Sequence, residues 1–240
     1  KKKKDDDKND DSKKETQAKD PITQIFITAS RHYEKIDNSF QNVPRLQYIL
    51  GLFWYKGDKV PKNINKAIHY FTLSAKNNFP DALYELGLFY FKGEYVQQNI
   101  NKAIEYFTKA SDLNHSLSQR ALGVNYLMGK FFPKDINKGI KYLELSSKDS
   151  PLSQYELGVF YLSKESNNYN INKAINYFTK AASNNFYEAY NALGTIYRDG
   201  IHCKRDIKKA IYYFSLGVEG NSTESQYNLG IEYYKGIIVK

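Results

Sequence analysis

Four histidines and one cysteine are the side chains of this sequence best suited to metal binding or nucleophilic catalysis. The histidines are His32, His69, His115 and His202, and none has a partner at the short spacing that zinc sites use. His202 precedes Cys203, but the chain has no second cysteine, which also excludes an intramolecular disulfide. The sequence therefore predicts no metal site and no disulfide-stabilised scaffold.

Motifs that bind phosphate or activate a serine are missing as well. The sequence contains neither G-x-x-x-x-G-K-[S/T] nor G-x-S-x-G, which cradle nucleotide phosphates and present a nucleophilic serine. Carboxylates such as Glu85 and Glu156 recur at one register of a repeated pattern, which favours a solvated or interhelical role. We therefore expect no catalytic residue, no cofactor, no small-molecule substrate and no enzymatic activity.

A repeat of about 36 residues organises the chain instead. An aromatic residue follows three positions after the glycine of each Leu-Gly pair, and a second glycine follows three positions later, except that Lys164 stands there in the fourth repeat. The pairs are Leu50-Gly51, Leu86-Gly87, Leu122-Gly123, Leu157-Gly158, Leu193-Gly194 and Leu229-Gly230. The third period is one residue short, and the fixed spacing of the other motifs places this deletion near Ser150.

Each repeat contains two segments with helical periodicity, which we name A and B. In helix A of the second repeat, Ala82, Leu86, Gly87 and Tyr90 lie on one side of a 3.6-residue wheel. Helix B carries Lys-Ala-Ile or Lys-Gly-Ile, and an Asn or Asp stands four residues before the alanine position, as expected of an N-cap. The predicted N-caps are Asn63, Asn99, Asp135, Asn170 and Asp206.

The two repeated glycines have different predicted roles. The first lies inside helix A, where glycine costs about 1 kcal/mol relative to alanine, so a neighbouring helix must pass too close for a Cβ. The second ends helix A as a left-handed C-cap. Since a single hairpin cannot bury its apolar faces, the hairpins must stack on one another. The predicted fold is all-α, a right-handed α-α superhelix (solenoid) of antiparallel helix pairs.

The string A-x-x-x-L-G-x-x-Y-x-x-G followed by D/N-x-x-K-A-x-x-Y/F resembles the Sel1-like repeat, a relative of the tetratricopeptide repeat. It spans about residues 45–236, with departures such as Leu46 and Ser118 at the first alanine and Lys164 at a terminal glycine. The resemblance implies a non-catalytic scaffold or adaptor that binds partner proteins or peptides within a larger complex. Two alternatives stay open: a regulatory repeat region of a larger enzyme, such as a kinase or a ubiquitin-ligase complex component, and an RNA-binding helical repeat.

Three segments are predicted along the chain. Residues 1–20 alternate Lys and Asp blocks, which is typical of a disordered charged tail. Residues 21–43 contain an apolar stretch that predicts an N-terminal helix or degenerate cap. Residues 44–240 form the repeat array, with five full units and the first helix of a sixth, and we expect further repeats or another domain to follow.

In related repeats the A helices line the concave face, which makes their outward side the candidate binding groove. Counted from the first alanine position of each repeat, positions 2, 6 and 9 lie on one stripe turned away from the core. Position 6 is aliphatic or Thr and favours packing. Large aromatic side chains at positions 2 and 9 offer contact area at low entropic cost to an extended or helical peptide, and arginines there can pair with acids. For the tyrosines at position 2, packing between adjacent A helices is an equally supported alternative. The candidate partner-binding residues are Tyr48, Tyr84, Arg120, Tyr155, Asn191 and Tyr227 at position 2, and Tyr55, Phe91, Arg198 and Tyr234 at position 9.

The net charge of +9 raises the question of a polyanionic partner. The lysines stand beside acids in most segments, which favours a solvated basic surface over a nucleic-acid groove. No apolar run approaches the ~20 residues that cross a bilayer, and no signal peptide is visible. With a single cysteine this favours a cytoplasmic location, and the sequence does not identify the compartment.

Overall fold

The computed structural model describes residues 43–57, 61–163, 168–200 and 203–236. Within these ranges the chain forms eleven α-helices and no β-strand, which confirms the all-α prediction. In chain order the helices are α1 Pro44–Lys56, α2 Ile64–Lys76, α3 Pro80–Lys92, α4 Ile100–Asp112, α5 Ser116–Met128, α6 Ile136–Ser146, α7 Pro151–Leu162, α8 Ile171–Ser183, α9 Glu188–Asp199, α10 Ile207–Glu219 and α11 Thr223–Tyr234. The predicted tail, and all but the last residue of the predicted cap, lie outside the described residues.

The helices alternate between the two predicted types. Odd-numbered helices are A helices and even-numbered helices are B helices. The chain divides into two compact parts, residues 1–99 and residues 100–240. Helices α1 to α3 belong to the first part, and α4 to α11 belong to the second.

Four of the A helices end at the glycine that the sequence predicts. Helices α1, α3 and α7 start at a proline, whose missing N–H would be unpaired in a first turn. Four of them end at a glycine in the left-handed region, with φ between 63° and 76°. These C-caps are Gly57, Gly93, Gly129 and Gly200. Helix α7, in the repeat where Lys164 replaces the glycine, ends at Ser163 in an extended conformation.

The predicted Asn and Asp caps of the B helices are confirmed at four positions. In each case the side-chain oxygen accepts a hydrogen bond from the backbone N–H three residues later, at 2.9–3.0 Å. The capping residues are Asn63, Asp135, Asn170 and Asp206. Because such a bond satisfies an otherwise orphaned donor, each cap contributes on the order of 1 kcal/mol.

The B helices end at a second repeated signal that our sequence analysis missed. Asn78, Asn114, Asn185 and Asn221 adopt left-handed φ values of 57–62°. After each one, the next backbone N–H bonds to a carbonyl five residues back, as in a Schellman motif. The third repeat lacks this asparagine: α6 has 11 residues, and the N–H of Ser150 bonds to the carbonyl of Ser146. The one-residue deletion therefore lies in this connector, as predicted.

Within a hairpin the A and B helices run antiparallel. Residues near the start of helix B contact the end of helix A, and later residues of helix B contact earlier residues of helix A. In the first part, the Lys66 ammonium lies 4.2 Å from the Trp54 ring, whereas Phe71 covers Gly51. A Cβ at Gly51 would lie 2.5 Å from the Phe71 ring. The predicted close approach at the first glycine is thus confirmed, and the neighbour is the B helix of the same hairpin.

The same glycine contact recurs in the second part. A Cβ at the glycine would lie 2.5–2.7 Å from the side chain at the equivalent position of helix B. The pairs are Gly123 with Leu143, Gly158 with Phe178, and Gly194 with Phe214. Each B helix of this part also packs against the following A helix: α4 on α5, α6 on α7, α8 on α9 and α10 on α11. Stacking of consecutive hairpins into one core, which includes Leu157, is therefore observed in this part.

Candidate functional site

Two of the tyrosines at position 2 of the stripe, Tyr48 and Tyr155, pack against aromatic rings of their own repeat. In the first part, the Tyr48 ring lies 5.7 Å from Phe71 and 5.2 Å from Phe79, measured between centroids. Burial, with a smaller contribution from the Glu85 carboxylate, raises the pKa of Tyr48 to about 12. Half-buried rings at these distances contribute to packing and still present one edge to solvent.

Tyr155 repeats this arrangement in the second part. Its ring lies 5.4 Å from Phe178 and 5.1 Å from Phe186. Burial raises the pKa of Tyr155, and the carboxylates of Glu188 and Glu224 raise it further. Tyr155 therefore packs within its own repeat as Tyr48 does.

The remaining aromatic candidates of the first part are half-buried. The Tyr55 ring lies 5.6 Å from Phe89, and the Lys62 ammonium lies 5.1 Å from its centroid. Tyr84 and Phe91 have intermediate exposure on the same A helix, α3. The ten predicted residues thus do not form one uniformly open surface.

Arg120 bonds to an acid of this chain. Its Nη2 and Nε donate to the Glu156 carboxylate at 2.6 Å and 3.0 Å, and this pair joins α5 to α7 across 36 residues. Both side chains are partly exposed. The sequence predicts that Arg120 pairs with an acid of a partner, and in the structure Glu156 of the next repeat is such an acid.

Asn191 and Arg198 belong to a similar network that joins α9 to α11. Arg198 donates to Asn228 and to Asp199, each at 2.7 Å, and Asn228 donates to Asn191 at 2.8 Å. By contrast, the last two candidates are open: Tyr227 is 71% exposed and Tyr234 is 93% exposed.

Three exposed apolar side chains extend the stripe in the second part, and our sequence analysis did not select them. Leu117 is 52% exposed, Met128 is 70% exposed and Val159 is 46% exposed. Val159 occupies position 6, which we had assigned to packing. The sequence signal that could have found these residues is their position on the helical wheel, because each is an apolar residue on the side opposite the core.

The described residues offer little else for chemistry. In the described ranges, no group of three or more His, Cys, Asp or Glu side chains could hold a metal ion. Cys203 is half-buried, with its thiol 3.6 Å from the Ile196 carbonyl. It lines a surface pocket of about 460 Å³ whose charged groups are four cations and the helix cap Asp206. His32 and His202 lie outside the described residues.

The repeats match a known family over nearly all of the described chain. The profile of the Sel1 repeat matches six consecutive segments. The segments are residues 44–79, 80–115, 116–150, 151–186, 188–222 and 223–240. The chain belongs to the Sel1 repeat family. Proteins of this family are in general protein-interaction scaffolds without catalytic activity.

Solved Sel1 repeat structures resemble the chain in fold. A protective antigen present in uropathogenic Escherichia coli strains, which displays an SLR fold, superposes with a TM-score of 0.77 at 21% identity over 90% of this chain. The chain spans 45% of that antigen's length. A Sel1 repeat protein from Oxalobacter formigenes gives a TM-score of 0.73 at 23% identity, covering 90% of this chain and 89% of its own. No curated protein matches the sequence.

Three of the Sel1 repeats of this chain share a further arrangement of aromatic side chains. In three repeats of the second part, a tyrosine of helix A is stacked on a tyrosine of helix B, with ring planes within 14° and centroids 5.7–6.1 Å apart. A lysine of helix B lies over the same A-helix ring, 4.0–5.5 Å from its centroid. The triads are Tyr126, Lys138 and Tyr142; Tyr161, Lys173 and Tyr177; and Tyr197, Lys209 and Tyr213.

One tyrosine of these triads, Tyr177, should make the stability of the array depend on pH in alkali. Burial and the Glu144 carboxylate, to which the phenol donates at 3.2 Å, raise the pKa of Tyr177 to about 12. An unfolded tyrosine loses its proton near pH 10, so this contribution to stability is complete below pH 10 and is lost as pH rises through 12. We expect Glu144→Gln to lower the pKa of Tyr177, followed by carbon NMR of ring-labelled tyrosine and assigned with Tyr177→Phe. Titration of Tyr177 near pH 10 in the unaltered chain would contradict this.

None of the described helices has the length and apolar composition needed to cross a membrane.

Proposed function

We propose that this Sel1 repeat chain is a non-catalytic scaffold that binds a partner protein or peptide on the outward stripe of its A helices, within a multi-protein complex. The observation that carries the proposal is the exposed apolar surface on α5 and α7. Exposed aliphatic side chains that cluster on one side of a repeat array favour contact with another protein.

Helix geometry and one ion pair bring the members of this cluster near one another. Leu117 and Val124 flank Arg120 at three and four residues along α5, and Val159 lies three residues after Glu156 on α7. The Arg120–Glu156 bonds bring these two polar side chains together. We name Leu117, Val124, Val159 and the ion pair between them the α5/α7 patch.

The patch fits a partner segment with apolar side chains around a polar centre. Arg120 and Glu156 already neutralise each other, so an apolar partner can cover the ion pair without leaving an unpaired charge. A phosphate backbone would have to compete with Glu156 for Arg120, and with Asp199 and Asn228 for Arg198. Protein binding is therefore favoured over RNA binding on this stripe.

A double substitution in the α5/α7 patch tests the proposal. The intact chain is immobilised, a protein retained from an extract of its source cells is identified and purified, and its Kd is measured. We expect Leu117→Gln with Val159→Gln to weaken that Kd at least tenfold, because the apolar contact is lost while helix propensity is kept. The melting temperature should stay within about 2 °C, as is usual for exposed sites.

The matched control is Tyr212→Gln, which alters an exposed apolar side chain of the B helix α10. The control should leave the Kd unchanged. Equal binding by the double variant and the unaltered chain, with loss in the control, would place the interface on the B helices and overturn the proposal.

A further inference from the structure

The hairpins of the second part place the start of each B helix beside the end of its A helix. In three of them, the backbone N–H of the residue that precedes helix B donates to the carbonyl of a tyrosine near the end of helix A, at 2.8–3.0 Å. The pairs are Asp135 with Tyr126, Asn170 with Tyr161, and Asp206 with Tyr197. Since consecutive hairpins stack, these ends share one edge of the second part. We name the described residues of 126–138, 161–173 and 197–209 the A–B edge.

The A–B edge is rich in exposed lysines. They include Lys134, Lys138, Lys173, Lys204, Lys208 and Lys209. The acids that the structure describes at this edge already bond within the chain. Asp135 and Asp206 cap α6 and α10, and Asp199 accepts from Arg198 at 2.7 Å. The A–B edge therefore presents positive charge that its own carboxylates do not balance.

The opposite edge of the second part, where each B helix connects to the next A helix, differs in charge. Its exposed acids include Asp112, Asp149, Glu188, Glu219 and Glu224, and the lysines there stand among them. The sequence hides this separation because the chain crosses from one edge to the other with every helix. Antiparallel packing collects the cations of successive repeats on a single edge.

Three lysines of the A–B edge recur once in each repeat, and we name Lys138, Lys173 and Lys209 the lysine row. Each ammonium lies over an A-helix tyrosine ring, 4.0–5.5 Å from its centroid. Lys209 donates to the hydroxyl of Tyr197 at 2.8 Å, and an ammonium has two further donors for a ligand. Because the rings already position these side chains, binding a carboxylate costs less entropy.

The repeat spacing indicates how the carboxylates of a ligand must be arranged. Tyr177 of α8 donates to Glu144 of α6 at 3.2 Å, so these B helices are direct neighbours. Helices in contact lie about 8–10 Å apart, and an extended peptide advances about 3.3 Å per residue. One acidic residue in three therefore matches one lysine per repeat.

A single-stranded nucleic acid fits this edge less well than an acidic peptide. Such strands are bound by stacking bases on open aromatic rings. At the A–B edge, Tyr126 and Tyr161 are buried, each between a lysine and a stacked tyrosine.

We propose that the A–B edge binds an extended acidic segment of a partner protein, with Asp or Glu at every third residue and one carboxylate at each lysine of the row. This surface shares no residue with the α5/α7 patch. Failure of either proposal therefore leaves the other standing.

A periodic acidic peptide tests the A–B edge. The probe is a fluorescently labelled peptide of repeated Ser-Gly-Glu units, titrated at low salt into the intact 240-residue chain and followed by anisotropy. We expect saturable binding that added salt weakens. The probe should bind at least fivefold more tightly than a peptide of the same composition whose glutamates form one block. This comparison uses the unaltered chain, so it does not depend on how variants fold.

Substitution of the lysine row locates the site. Lys138→Gln, Lys173→Gln and Lys209→Gln together should weaken the probe about tenfold, whereas arginine at the same positions should keep its affinity, because the charge is retained. The matched control removes the same charge from the opposite edge, with Lys109→Gln, Lys148→Gln and Lys180→Gln, and should leave the Kd within twofold. Thermal melting by circular dichroism checks that each variant stays folded.

The contrary outcomes are distinct. Absence of binding, equal affinity for the block peptide, or equal weakening in the control would overturn the proposal. An oligonucleotide, single-stranded or duplex, that binds more tightly than the probe and depends on the lysine row would assign the edge to nucleic acid. Self-association of the chain that the row variant abolishes in sedimentation equilibrium would assign the edge to the acids of a second copy.

Discussion

Replacing Phe178 by alanine should lower the free energy of unfolding by about 3–5 kcal/mol, the range for truncating a buried phenylalanine. Phe178 is fully buried on α8. Its ring covers Gly158 and packs against Tyr155. Because glycine has no side chain, α7 cannot fill the space that the ring leaves. The measurement is urea unfolding followed by circular dichroism, with calorimetry of the same samples.

The matched control is Phe178→Leu. The third repeat already has Leu143 over Gly123, so leucine is compatible with this contact. We expect the control to cost less than about 2 kcal/mol, because it keeps most of the apolar volume. Equal melting temperatures for Phe178→Ala and the unaltered chain would show that the glycine contact contributes nothing to the core.

Local structure could be predicted from the sequence because each cap depends on residues within a few positions. Asn170 caps α8 through the N–H of Lys173, three residues away. Gly200 ends α9 because the left-handed region is accessible to glycine without strain. The signal for the left-handed asparagines is equally local. Asn185 could have been predicted because asparagine recurs at the same place in other connectors.

For the candidate stripe, the sequence could predict only the side of the helix on which each residue lies. A helical wheel shows which way Arg120 points, but its acid comes from Glu156 in the next repeat, and the wheel of α5 does not contain it. Tyr155 lies on the outward side and still packs against Phe178. The reason is that Phe178 covers Gly158, three residues after Tyr155 on α7, so its ring lies beside both residues.

Alanine at two equivalent glycines should change stability in opposite directions. At Gly194 the new Cβ would lie 2.5 Å from the ring of Phe214, which is fully buried and has no room to move. Overpacking of this kind costs about 1–3 kcal/mol, against about 1 kcal/mol gained from helix propensity. At Gly230 the Cβ meets open space, so only the gain applies. Calorimetry should therefore show a lower melting temperature for Gly194→Ala and an increase of about 2–4 °C for Gly230→Ala.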